Sequence, residues 1–143
     1  MTEKGKNELL VSQIPAANLA YLGDSVYEIC VREYLVRHGA RQPSVESLRY
    51  VTAKVQSGVM EKILPLLTEE EEAQYKRGRN LGHSNTPKSS TVLEYRRATG
   101  LEALFGWLYL SGRDDRVKEL FGAAFDGLDG EDERGDKKTE ENK

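Results

Sequence analysis

Two carboxylates stand where the sequence gives them nothing to pair with. Asp24 is the only charged residue from Val11 to Tyr27, and Glu102 the only one from Gly100 to Gly112. Both runs are apolar enough to pack. An uncompensated polar group in such surroundings costs roughly 2–7 kcal/mol, and an ion more. A cap, a basic partner or a metal ion must offset that, and of the three a metal ion would bring chemistry with it. Each residue also has a plainer reading. Asp24 follows Gly23 and suits a helix N-cap. Glu102 lies well inside its helical segment, where a buried arginine or the edge of the apolar face would serve. Glu28 sits one turn beyond Asp24 on the same face. It also completes Ser25-x-x-Glu28, a capping box, and the structural role is the one favoured.

Charge gives the second lead. The chain has 143 residues and a net charge of −3, but residues 126–143 hold eight acids and four bases. Without that tail the body is near neutral. Within it, the stretch 76–97 carries Lys76, Arg77, Arg79, Lys88, Arg96 and Arg97 against one acid, Glu94. Such a stripe is a candidate phosphate-binding surface. His83 reads as an exposed loop residue, and His38 as a helix C-terminal residue favoured by the dipole.

The elements that must position these groups read as helices. Pro15 opens a helix over Ala16–Leu22; Gly23 interrupts, and Asp24 or Ser25 caps a second helix to about His38, stopped by Gly39. Ser44 caps a long amphipathic helix with apolar residues at Val45, Leu48, Val51, Val55, Val59 and Ile63. Thr68 and Glu71 form a capping box. Gly78–Ser90 is a loop, a helix restarts near Thr91–Glu94, and an apolar one runs from Leu101 to Leu110. Gly112 ends it, and Arg113–Phe125 is a last amphipathic helix. No alternation of strand period and no repeat is present. The expectation is an all-α domain over residues 11–125 with polar tails at 1–10 and 126–143.

Composition closes off other classes. No window of eighteen apolar residues exists, which excludes a membrane-spanning helix. Met1–Glu8 lacks an apolar leader, and the single cysteine, Cys30, allows no disulfide framework or zinc cluster. A cytoplasmic protein is expected. The segment Val26–Val36 has eight apolar or aromatic residues in eleven, too many for one buried face. A second copy of the chain is the expected cover, giving a two-fold homodimer.

Two motifs carry a resemblance. Leu19-Ala20-Tyr21-Leu22-Gly23-Asp24-Ser25-Val26-Tyr27-Glu28 resembles the signature helix of the ribonuclease III catalytic domain. Leu101-Glu102-Ala103-Leu104-Phe105-Gly106-Trp107-Leu108-Tyr109-Leu110, preceded by Tyr95-Arg96-Arg97-Ala98-Thr99-Gly100, resembles its second catalytic helix. The likeness is greatest to the short branch called Mini-ribonuclease III, which lacks the double-stranded-RNA-binding domain. It implies an all-helical homodimer of about six or seven helices that cleaves double-stranded RNA with magnesium, leaving 5′-phosphate and 3′-hydroxyl ends. It implies Asp24 and Glu102 as catalytic metal ligands, with Glu28 and Thr99 in possible support. Two acidic positions of the classical family are Ala20 and Thr99 here, which bears on how many ions are held. The branch further implies maturation of 23S precursor ribosomal RNA in pre-ribosomal particles, with a large-subunit ribosomal protein as a candidate helper. The basic stripe would then contact duplex phosphates, since an A-form helix is recognised by its backbone and shape.

Two alternatives stay open on sequence alone. One is a catalytically inert helical dimer that binds structured RNA, Ala20 and Thr99 marking lost ligands. The other is a protein-interaction dimer that works through its acidic tail.

Overall fold

The stretch from Ala98 to Leu108 holds one charged residue, Glu102, and becomes the axis of the fold. A computed structural model describes residues 8–82 and 90–126. Among these residues there are six α-helices and no strand. We label them α1 (Ala16–Arg37), α2 (Pro43–Glu46), α3 (Ala53–Ile63), α4 (Glu69–Arg79), α5 (Val92–Leu110) and α6 (114–126). Helices α1, α3 and α4 pack around α5, whose residues Ala98–Leu108 are buried at every position except Glu102. The core joins Leu19, Tyr27 and Val31 of α1 to Leu101, Leu104, Phe105 and Leu108 of α5. Helix α6 closes it with Leu120, Phe121 and Phe125, the two phenylalanines stacked at 4.0 Å. No helix among the described residues is long and apolar enough to cross a membrane. Most of the expected tails, together with His83 and Lys88, lie outside the described residues.

Local signals place several boundaries where the sequence predicts them. Gly39 and Gly112 adopt φ of 75° and 76° just past the ends of α1 and α5, a conformation that disfavours any side chain. Thr68 and Glu71 cap α4 reciprocally, and Thr91 and Glu94 do the same for α5. His38 stands at the C-terminus of α1, its ring Nδ1 2.8 Å from the Tyr34 carbonyl.

Three expectations are corrected. Gly23 does not interrupt a helix: α1 runs unbroken through it, so neither Asp24 nor Ser25 is a cap and Ser25-x-x-Glu28 is no capping box. A glycine inside a helix costs about 1 kcal/mol against alanine, and here close packing against α5 offsets that cost. The long helix expected from Ser44 to Ile63 is two pieces. After α2 a 3₁₀ turn covers Ser47–Arg49, and Thr52, in extended backbone, caps α3 by accepting from the Val55 N–H at 3.2 Å. Val45 and Leu48 accordingly stay exposed. Finally, Gly100 does not divide the Thr91–Leu110 stretch, which is one helix. The reason is the same as at Gly23, because a Cβ on Gly100 would meet the Tyr75 ring at 2.5 Å.

Candidate active site

The site begins with two glycines. A Cβ on Gly23 would overlap the Glu102 carbonyl oxygen, and one on Gly106 would overlap the Leu19 carbonyl oxygen. Helices α1 and α5 therefore touch backbone to backbone at this crossing. Asp24 follows the first glycine directly, and Glu102 lies one turn before the second. Contact at the glycines brings the two carboxyls to one cavity at the crossing. They come close enough to influence each other's charge, and both line a solvent-open cavity of about 220 Å³ with Ala20, Tyr21, Tyr95 and Thr99.

The electrostatics follow from that geometry. Asp24 stands at the mouth and is exposed, whereas Glu102 is recessed. Burial first, then the nearby charge of Asp24 and their shared hydrogen bond, push the Glu102 carboxyl up to about 8. A hydrogen bond from Gln56 acts the other way. A cation between the two carboxyls would offset the repulsion and burial that Glu102 meets there. A hard divalent ion takes oxygen ligands and keeps several waters of its own. Two facing carboxyls beside open solvent fit that requirement. Among the described residues no group of three or more His, Cys, Asp or Glu side chains gathers to hold a metal, so two carboxylates are the ionisable set. Ala20 and Thr99 line the same cavity and supply no carboxylate.

The other expected residues divide. Thr99 is buried at the cavity, its hydroxyl donating to the Tyr95 carbonyl at 3.0 Å. Glu28 points elsewhere and pairs with Arg32 at 2.8 Å on the surface. Cys30 is buried, and loss of solvent pushes its thiol up to about 12, which leaves it unreactive. The basic stripe is not a single free surface. Arg77 is half-buried and spends its guanidinium on the Gln74 side chain and the Ile14 carbonyl, at 2.8 and 2.9 Å. Arg97 is paired with Glu61, and Lys76 with Glu72 at 3.3 Å. Arg79 lies over the Tyr75 ring, 5.6 Å from its centroid, and Arg96 is exposed.

Three residues at the site were not singled out from the sequence. Tyr21 is 85% exposed on the cavity rim, and Tyr95 lines it. Both stand inside the two motifs, where their exposure has no local signature. Gln56 reaches the site from α3, and nothing in its own sequence neighbourhood points to Glu102.

Comparison with known proteins agrees with this architecture. Residues 17–113 match the family model described as the ribonuclease III domain. The chain is 42% identical over 116 residues to the Mini-ribonuclease 3 of Brevibacillus brevis, covering 79% of this chain and 87% of that protein. It is 44% identical over 113 residues to the Mini-ribonuclease 3 of Enterococcus faecalis, covering 76% and 86%. Its fold is also similar to a crystal structure of a Fusobacterium nucleatum protein, with a TM-score of 0.72, 33% identity, and coverage of 81% of this chain and 95% of that one.

Proposed function

The chain belongs to the ribonuclease III domain family, in its Mini-ribonuclease 3 branch, and from that premise we propose that this endoribonuclease hydrolyses double-stranded RNA in a magnesium-dependent reaction carried by Asp24 and Glu102. The supporting observation is the carboxyl pair that lines one solvent-open cavity at the glycine crossing of α1 and α5.

When bound, magnesium supplies Lewis acidity toward a phosphate oxygen and acidifies a coordinated water. The chain's own groups hold and orient. Glu102, recessed, would hold the inner side of such an ion as a carboxylate. Asp24, at the mouth, faces the side from which a phosphodiester arrives. Thr99 has its hydroxyl committed to the Tyr95 carbonyl, so it shapes the wall and leaves the acid–base work to the two carboxyls. Water attacks in line, leaving 5′-phosphate and 3′-hydroxyl ends. Duplex contacts come from Lys76, Arg77, Arg79, Lys88, Arg96 and Arg97 as a set. Lys76, Arg77 and Arg97 are engaged within the chain and Arg79 donates to Asn80, so among the described members the exposed Arg96 is the first candidate for phosphate contact. A homodimer would bring two such sites to the two strands of one duplex. Its cellular substrate is 23S precursor ribosomal RNA in pre-ribosomal particles, with a large-subunit ribosomal protein as helper, in the cytoplasm.

Incubation of the purified chain with a long RNA duplex tests this reading. Cleavage with magnesium and none with EDTA is expected, with product ends that a 5′-phosphate-dependent exonuclease accepts. Asp24→Asn and Glu102→Gln should each lower the rate by at least about a hundredfold, since even loss of an outer partner of a metal ligand costs 10–100-fold. RNA binding without cleavage under every condition would instead favour the inert RNA-binding dimer.

A further inference from the structure

The last turn of α4 is fixed to both of the helices that carry the carboxyls. Toward α5 the contact is at Gly78. A Cβ there would meet the Ala103 Cβ at 2.6 Å and the Thr99 carbonyl oxygen at 2.9 Å, within one turn of Glu102. Toward α1 the contact is made by the residue before it, Arg77. Its Nη2 donates to the Ile14 carbonyl at 2.9 Å and its Nη1 to the Gln74 side chain at 2.8 Å. Ile14 stands directly before Pro15, the extended residue from which α1 starts. Three residues after Ile14 comes Ala17, and one turn after Arg77 comes Leu81. Both line the cavity that holds Asp24 and Glu102.

The charge of Arg77 is spent in an uncommon way. Among the described residues it has no carboxylate partner, and both of its acceptors are neutral. One belongs to its own helix and the other lies 63 residues away in the chain. A guanidinium presents its donors in a rigid planar fork, which suits holding two acceptors at a set angle. A lysine ammonium, a point charge on a flexible stem, does not do this.

We propose that Arg77 is a positioning residue: it ties the chain entering α1 to the last turn of α4, and so sets how α1 presents Asp24 to Glu102. This gives Arg77 a task other than the phosphate contact that its charge suggests. It rests on the reading of the carboxyl pair as a nuclease site.

The test compares the full-length wild type with Arg77→Lys, Arg77→Gln and Arg96→Gln. Two quantities are read: the single-turnover cleavage rate at saturating duplex RNA with magnesium, and duplex affinity in EDTA across a salt series. Both Arg77 variants should lose about tenfold or more in rate, since small misplacements remote from the chemistry cost up to about a hundredfold. Their salt dependence should stay that of the wild type, whereas Arg96→Gln should lower the slope by about one. Wild-type cleavage by Arg77→Lys, with a slope lowered by about one in Arg77→Gln, overturns the proposal in favour of phosphate contact. A lower melting temperature with a wild-type rate below the transition also overturns it, because Arg77 then serves folding alone. Should neither Arg77 variant unfold cooperatively, Gln74→Met takes their place. It frees one arm of the guanidinium, and a wild-type rate in that variant overturns the proposal. No cleavage by the wild type overturns the nuclease reading itself.

Discussion

At the scale of single residues, two recessed carboxyls among the described residues have opposite fates. Glu102 meets another acid and is pushed toward its neutral form. Glu71 meets Arg116, whose Nε and Nη2 donate to the two carboxylate oxygens at 2.8 and 2.9 Å, while Glu71 itself is 2% exposed. That hydrogen bonding outweighs burial and holds Glu71 below the usual carboxylate range. A depressed carboxyl stabilises the fold above its unfolded pKa and loses that contribution as pH falls through its folded value. Gln at this position still completes the capping box with Thr68, so Glu71→Gln isolates the ion pair. The expected cost is about 2 kcal/mol near neutral pH, because the guanidinium loses its two charge-assisted bonds to Glu71 and keeps Glu119 and the Leu66 carbonyl. Thermal unfolding of both proteins against pH should find the gap narrowing below about pH 4. The capping role of Glu71 is legible from Thr68-x-x-Glu71. Its partner is not, because Arg116 lies 45 residues away and no local period links them. Asp24 and Glu102 stand out for a related reason, as single charges in long apolar runs.

At the scale of elements the site is a consequence of how α1 meets α5. Helix propensity reads Gly23 and Gly100 as breaks, since only the local cost of glycine is visible in a sequence. The compensating gain is tertiary: at Gly23, Gly100 and Gly106 a neighbouring chain comes closer than any Cβ allows. Thr52 is the reverse case, a cap signal overlooked inside a continuous apolar spacing. Gly106→Ala must push α1 away from α5 backbone against backbone, with no flexible side chain to yield. We expect a loss of about 3 kcal/mol, the upper range for overpacking, and a melting temperature about 10 °C lower. Any folded fraction should cleave poorly, because the shift parts Asp24 from Glu102. Circular dichroism during heating, together with a cleavage assay below the transition, checks both parts. A melting temperature equal to wild type would mean that the crossing is not as tight as the glycines imply.

At the scale of the whole molecule the surface left by α1 is unfinished. Of the eight apolar residues in Val26–Val36, Val26, Tyr27, Cys30, Val31 and Leu35 enter the core, while Ile29 and Val36 stay about two-thirds exposed. Ile29 borders a depression of about 240 Å³ shared with Tyr109 and Val117. The excess of apolar residues was legible in the sequence, but which of them face outward depends on the turn of α1 against α5. Ile29→Asp adds a charge to that face without touching the core, so the fold should persist while the expected dimer dissociates, its dissociation constant rising at least tenfold. Sedimentation velocity over a concentration series reads this directly, and an unchanged sedimentation coefficient would place the dimer face elsewhere. The claim on which the functional account depends is that two carboxyls, brought together by a glycine crossing, jointly hold one divalent cation. A crystal soaked in manganese, with its anomalous scattering measured, tests that claim most directly. One peak is expected within about 2.5 Å of oxygens from both Asp24 and Glu102; a cleft without a peak in a crystal whose protein still cleaves RNA would rule out joint binding by the pair.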